Sequence, residues 1–386
     1  MRSRQVALIA LLALTAVPAH GQGRVIEFPD VPGYGTYVVD LHIHSVFSDG
    51  SVWPDIRVQE AVRDGLDLLA VTEHLEYQPH LADIPHPDRN RSFEISERAV
   101  GQSDLIVVNG AEITRSMPPG HSNAIFINDA NALLTDAARD YLAGRSERLT
   151  NDDVQEAFVA ANDQGAFIFW NHPSWTGHRE NGVAVLAPIH RRLIQDGLLH
   201  GIEVANGQIY SAEALQFALD FNLTVLGVSD IHGLIDWDYD LAGGAQRTST
   251  LVFAEARTAD SIHEALRAGR TVAWMENTLI GRAEHLAPLL AASLQVSAVA
   301  WRASSRLLEV TLSNSSSARF DLRPAAVHNV YDRPGLIHVP PHGSVTIALA
   351  GEGRASFDLE FEVLNAITAP NAHPLISVLV EAPGNQ

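Results

Sequence analysis

Between residues 36 and 232 the chain repeats one local pattern, a short apolar run that ends on His, Asp or Glu. Tyr37-Val38-Val39 leads into Asp40-Leu41-His42-Ile43-His44, and an Asp49-Gly50 turn follows. The run 67–72 ends in Glu73-His74, and 105–110 leads into Glu112. A Pro-Pro-Gly turn at 118–120 precedes His121, and 166–170 ends in Asn171-His172-Pro173. Residues 201–205 end in Asn206-Gly207, and 224–228 end in Ser229-Asp230-Ile231-His232. Residues two apart on a strand point to the same side. His42 and His44 can therefore present two imidazoles to one point, with Asp49 returning a carboxylate from the following loop. Imidazole and carboxylate together suit divalent zinc, manganese or iron.

Amphipathic segments separate these runs, at 54–64, 152–163, 183–196, 212–221 and 260–268. Asn151 or Asp152 and Ser211 stand where helix caps belong, and Gly65, Gly165, Gly197 and Gly269 stand where helices stop. Such alternation predicts an α/β fold of parallel strands covered by helices, with the polar clusters at the strand C-terminal ends where barrel enzymes place their sites. Two interruptions, 80–92 with Arg89 and Arg91 and 175–183 with Gly177 and Gly182, read as loops at the rim of that end. From about residue 287 the texture changes to alternating strands at 294–300, 307–313, 344–349 and 375–381, separated by Ser, Asn, Pro and Gly. This predicts a small C-terminal β-sandwich. His328, His338, His342 and His373 are scattered through it without a shared motif and read as non-ligands.

The first residues, Met1-Arg2-Ser3-Arg4, precede an apolar run from Val6 to Val17 and the small residues Ala19 and Gly21. A basic start, a short apolar stretch and small residues at the cleavage point predict a signal peptide over 1–21 and export to the periplasm or beyond. No later segment is long and apolar enough to span a membrane. The remaining length favours two domains, 22–286 and 287–386. The chain has no Cys, so thiolate ligands and disulfides are excluded, and all 26 basic residues are Arg, which excludes Schiff-base and P-loop lysines. Its net charge of −20 falls to −22 once Arg2 and Arg4 leave with the leader. That charge repels long nucleic acids but not small phosphate esters. The oligomeric state is not readable.

The ordered series HxHSxxSDG, TxH, GxE, GH, NHP and SDxH resembles the PHP superfamily, named for polymerase and histidinol phosphatase. The resemblance covers roughly residues 36–285. It implies a distorted (β/α)7 barrel and nine metal ligands: His42, His44, Asp49, His74, Glu112, His121, His172, Asp230 and His232. In one departure, Glu73 stands where the family usually has Asp. The stretches 73–80, 110–121 and 167–173 further resemble exported bacterial PHP phosphodiesterases acting on organophosphate diesters.

Nine such ligands suit two to three divalent ions (Mn2+, Zn2+ or Fe2+), some bridged by a carboxylate such as Glu112. Ions about 3.5–4 Å apart can activate water to hydroxide and hold an in-line displacement at phosphorus. Arg115 is the first candidate for a bidentate phosphate clamp, with a structural salt bridge on the barrel rim as the alternative, and His80 is a further catalytic candidate. Tyr77 and Trp175 are expected to meet substrate, and Asn206 to hydrogen-bond substrate or a ligand. The functional expectation is a phosphodiesterase for small diesters. A histidinol-phosphatase-like monoesterase and a non-catalytic metal- or partner-binding module are the alternatives.

Overall fold

The computed structural model describes residues 24–146, 149, 153–325, 330–331, 335–350 and 355–381. The expected signal peptide, the capping residues Asn151 and Asp152, and His328 lie outside these residues. In chain order the first part comprises β1 (Gly35–Asp40), α1 (Pro54–Asp64), β2 (Leu68–Val71), α2 (Arg91–Ala99), β3 (Ile106–Ile113), β4 (Ser122–Ile125), α3 (Asp136–Leu142) and α4 (Val154–Asn162). It continues with β5 (Phe167–Trp170), α5 (Pro188–Gln195), β6 (Gly201–Asn206), β7 (Ile209–Tyr210), α6 (Ala212–Phe221), β8 (Thr224–Val228) and α7 (Ile235–Asp238). β9 (Ser249–Ala254), α8 (Ala259–Arg267), β10 (Thr271–Met275), β11 (Thr278–Gly281) and α9 (Ala283–Ser293) complete it.

The expected strand-helix alternation is present, but the sheet is mixed. Pairs β1–β2, β2–β3, β5–β6 and β6–β8 are parallel. β4 runs antiparallel between β3 and β5, and β9, β10 and β11 are antiparallel along the other flank of β1. The sheet curls, and threonine hydroxyls bridge β8 to its far flank. Thr250 Oγ1 accepts from Gly227 N at 3.0 Å and donates to Gly227 O at 2.7 Å, while Thr271 Oγ1 donates to Val225 O at 2.7 Å. The glycines expected to stop helices do so: Gly65, Gly165, Gly197 and Gly269 all have φ between 67° and 82°. α5 begins at Pro188, later than the amphipathic pattern suggested, and α2 and α3 were not legible in that pattern.

The β-rich part holds β12 (Leu294–Trp301), β13 (Leu307–Asn314), β14 (Phe320–Pro324), β15 (Ile337–Val339), β16 (Ser344–Ala350), β17 (Phe357–Val363), β18 (Ala366–Ile367) and β19 (Leu375–Val380). A three-stranded sheet, β12-β13-β16, faces a four-stranded one, β15-β14-β17-β19. Their inward residues alternate, as Leu308, Val310 and Leu312 do on β13. α9 runs through Ser293, past the expected boundary at 286/287. One apolar cluster extends from Leu69 and Trp274 through Leu286, Leu289 and Leu290 of α9 to Phe320, Ile347 and Phe361. β18 leaves the sandwich altogether and pairs in parallel with β11, Leu279 opposite Ala366 and Ile280 opposite Ile367. Asn365 fastens this crossing, its Nδ2 donating to Asn277 O and Arg319 O at 2.7 Å each.

Candidate metal centre

The HxH and DxH motifs meet through their backbones. Ile43 forms a parallel bridge with Ile231, so His44 N donates to Ile231 O at 3.0 Å and Asp230 N to His42 O at 2.9 Å. Alternation then turns His42, His44, Asp230 and His232 to one face. Thr72 Oγ1 locks the bridge, accepting from Ile43 N at 2.9 Å and donating to Ile43 O at 3.0 Å. The following turn folds back on His44 so closely that a Cβ on Gly50 would lie 2.7 Å from His44 C, which only Gly permits. This fold-back carries Asp49 to His232, with His232 Nε2 3.1 Å from Asp49 Oδ1. His172 (φ 28°) and Asp230 (φ 51°) sit in the left-handed region, a strain that recurs at functional sites.

All nine residues implied by the resemblance converge at this end of the sheet. Three groups have ligand atoms within 4.8 Å of one another: His44, Asp49, His74 and His232; His42, His44 and Asp230; and His74, Glu112 and His121. His172 Nε2 stands 3.4 Å from Glu112 Oε1 and joins the third group. Glu112 lies between groups, with Oε2 3.5 Å from His44 Nε2 and 2.6 Å from His74 Nδ1. Buried Asp49 Oδ1, Glu112 Oε2, Asp230 Oδ1, His121 Nδ1 and His172 Nδ1 make no well-aligned hydrogen bond among the described residues, although imidazoles approach Glu112 Oε2 to 2.6 Å and Asp49 Oδ1 to 3.1 Å. Buried oxygens and imidazole nitrogens aimed at common points fit divalent cations, whose preferred donors these are.

The electrostatics agree. Burial opposes ionisation of Glu112, yet His74 and His121 hold its carboxyl well below the usual range. Asp230, buried, is lowered by His42 and His44, and Asp49 by His232 and His74. Burial and then the neighbouring His232 and His74 lower His44 to about 4, whereas Glu112 and Asp49 overcome burial and raise His74 to about 10. Without cations, the carboxylates draw protons onto their imidazole neighbours.

A second layer orients the ligands. Glu203 Oε1 accepts from His42 Nδ1 at 2.7 Å, and Oε2 accepts from His172 N at 2.5 Å. A register shift in β6 between Glu203 and Ala205 turns Glu203 and Asn206 to the same side, although they are an odd number of residues apart. Asn206 Nδ2 donates to Glu203 Oε2 at 2.9 Å and Asp230 Oδ2 at 3.1 Å, so of its two expected contacts, substrate or ligand, the one to a ligand is present. Asn171 Nδ2 donates to Glu112 Oε1 at 2.8 Å. Glu73, the departure from the family pattern, accepts from Ser45, Ser48 and Ser92 hydroxyls, and Ser48 Oγ in turn lies 3.2 Å from His44 Nδ1. Its extra methylene is used to hold the Asp49 loop.

A cavity of about 1040 Å³ opens over the ligands. Tyr77 and Trp175 line it, 49% and 43% exposed, together with Met117, Tyr141, Leu149 and Ile209. Two expectations need correction. Arg115 borders the cavity, but its guanidinium is fully buried and bound to carboxylates: NH1 pairs with Glu76 and NH2 lies 3.2 Å from Asp153 Oδ2. It braces the rim. His80 is absent from the cavity lining; its carbonyl accepts from Asp83 N and Ile84 N in a turn. The rim loop 175–183 instead supplies His178, which no motif marked. Burial, then His121 and His172, push its pKa down to about 3, so the imidazole is neutral. His338, His342 and His373 bond locally to Asp321, Ser317 and Ala366.

Residues 294–378 match the family described as an Ig-like domain. No curated protein matches the chain. A solved two-domain protein from Bacteroides vulgatus, containing a predicted PHP-like metal-dependent phosphoesterase, is 38% identical, with a TM-score of 0.83 over 93% of this chain and 99% of that one. A proposed metal-dependent phosphoesterase from Bifidobacterium adolescentis is 20% identical over 50% of this chain and 87% of its own, with a TM-score of 0.36. An amidohydrolase from Chromobacterium violaceum, with bound sulfate and no metal, is 18% identical over 51% and 88%, with a TM-score of 0.37. The last two resemblances carry nothing further.

Proposed function

Because the chain belongs to the PHP superfamily of metal-dependent phosphoesterases, we propose that it is a phosphodiesterase for small diesters bearing apolar groups. One observation carries the choice of diester. The chain has no Lys, and Arg115, the only Arg among the described lining residues, is committed to Glu76 and Asp153. A phosphomonoester dianion would bring two charges to a cavity whose described lining holds no uncommitted Arg or Lys, whereas a diester brings one. The exposed faces of Tyr77 and Trp175 and the side chains of Met117, Leu149 and Ile209 suit its substituents.

The three donor groups would hold two or three ions of Mn2+, Zn2+ or Fe2+. Bound divalent cations supply Lewis-acid activation of water and neutralise charge on the phosphoryl group. The residues themselves do the positioning. Glu203 fixes the His42 ring, Asn171 fixes Glu112, and the Glu73 serine network fixes the turn that presents Asp49. Trp175 packs its ring against His121 and His172, with centroids 5.9 and 5.4 Å apart, and shields that side from water.

The leader composition supports export, and no helix among the described residues is long and apolar enough to cross a membrane. The test is turnover by the full chain, loaded in turn with each metal, of bis-p-nitrophenyl phosphate against p-nitrophenyl phosphate. The diester should have the higher kcat/KM; a preference for the monoester would overturn the reading.

A further inference from the structure

Most nitrogen donors around the cavity already have partners. The Arg115 fork serves Glu76, Asp153 and Thr114 O. The Asn206 amide serves Glu203 and Asp230, His42 Nδ1 serves Glu203, and His232 Nδ1 serves Asp230 O at 2.8 Å. His121 Nδ1 and His172 Nε2 lie 2.9 and 3.4 Å from Glu112 Oε1 and belong to the donor group around it. His178 stands apart from this scheme. It lines the cavity, lies outside the nine-ligand set, and its buried side-chain Nδ1 has no hydrogen-bond partner among the described residues.

Its position is nonetheless built. The ring stands edge to face with His121 (centroids 4.6 Å apart, 84°) and with Trp175 (4.6 Å, 75°), and 5.5 Å from His172. His178 N donates to Trp175 O at 3.0 Å, which closes the turn beneath it. Nδ1 is buried against Gly120, where a Cβ would stand 3.5 Å from it and 2.9 Å from Met117 Cε. Gly120, at φ 82°, leaves the room the imidazole occupies. With Nδ1 enclosed, Nε2 is the nitrogen that can open on the cavity, beside the group formed by His74, Glu112 and His121. An N–H on Nε2 finds an acceptor there whenever a ligand is bound.

Resting on the diesterase reading above, we infer that His178 is a substrate-binding residue whose Nε2–H donates to a phosphoryl oxygen of the bound ester. It supplies the directional donor that Arg115 does not, beside the metal ligands and not as one of them. As charge builds on that oxygen during displacement the bond strengthens, which makes the contribution catalytic.

The test uses the full-length, metal-loaded protein and the variants His178→Ala and His178→Gln. Four quantities are read on each: metal per chain, Tm, kcat/KM for bis-p-nitrophenyl phosphate, and the calorimetric Kd of dimethyl phosphate. His178→Ala should keep metal content and Tm, lose roughly 10²-fold in kcat/KM and bind dimethyl phosphate about tenfold more weakly. His178→Gln, whose amide can reach toward the Nε2 position, should recover part of both. Loss of metal along with activity would make His178 a ligand and overturn the inference, as would unchanged kcat/KM and Kd. If the wild type turns over only p-nitrophenyl phosphate, the diester reading alone fails. The inference is then decided by the same ratios for the monoester and inorganic phosphate. A wild type that binds none of these anions sinks both.

Discussion

Replacing Arg115 with Ala separates a bracing role from a substrate-clamping one. In the folded chain the Arg115 side chain is 0% exposed, Glu76 1% and Asp153 10%, so the triad is dry. Removing the guanidinium leaves Glu76 with Thr114 N, 2.8 Å away, and Asp153 with the Thr135 hydroxyl. Breaking a buried ion pair by deleting one partner costs about 3–5 kcal/mol, because the other charge remains uncompensated. Spread over the unfolding entropy of a 386-residue chain, this is about 5 °C in Tm. Burial already raises the Glu76 carboxyl even with Arg115 beside it, and in the variant it will rise further. An acid whose folded pKa lies above its unfolded one destabilises increasingly as pH climbs, so the Tm deficit should be smaller at pH 5 than at pH 8. The double variant Arg115→Met/Glu76→Gln should regain part of the loss. Melting curves at both pH values, metal content and kcat/KM on one preparation make the assay. An unchanged Tm with kcat/KM down roughly 10²-fold would refute the bracing argument and return Arg115 to the substrate.

Glu203→Ala removes the acceptor of His42 Nδ1 and should weaken metal affinity about 10- to 100-fold, measured against a competing chelator; unchanged affinity would show that His42 needs no such support. In metal-stripped protein His74 titrates near 10, above its unfolded value, and His172 and His232 are raised as well. Their stabilisation is full below about pH 6.5 and is lost as pH rises toward 10, while metal binding, which displaces these protons, strengthens. The Tm gap between loaded and stripped protein should therefore widen from pH 6.5 to 9, and a constant gap would contradict the ligand assignment. Truncation after residue 364 removes β18 and β19 together. It should lower Tm and solubility while ligand geometry survives, so retained metal with increased aggregation in light scattering is the expected result.

The nine converging residues were legible through the resemblance to the PHP motifs; most follow a short apolar run, while Asp49 and His121 stand in or just after a turn. Glu203 was less so: its direction depends on the shift in β6, and the intervening residue is visible only once β8 is paired alongside. Glu73 read as a departure because the family usually has Asp there, and its role was hidden because its partners, Ser45 and Ser92, come from segments remote in sequence. Arg115 misled for a related reason, since proximity to Glu112 in sequence placed it at the site, while Glu76 and Asp153 claimed its charge. His178 lies in a glycine-flanked turn with no periodicity to mark it. The mixed character of the sheet was also hidden, because the short run of β4 carries no sign of its direction.

The crossing of β18 has a consequence for the order in which the molecule can be completed. Synthesis proceeds from the N-terminus, so all nine candidate ligands through His232 exist long before residues 366–367 are made. Until then β11 presents an unpaired edge, the kind of surface on which chains pair wrongly. A nascent or clipped chain can thus carry the whole ligand set on a sheet still open at its margin. Closure of that margin, with Asn365 joining Asn277 to Arg319, records that synthesis has passed residue 367 and that the sandwich is in place.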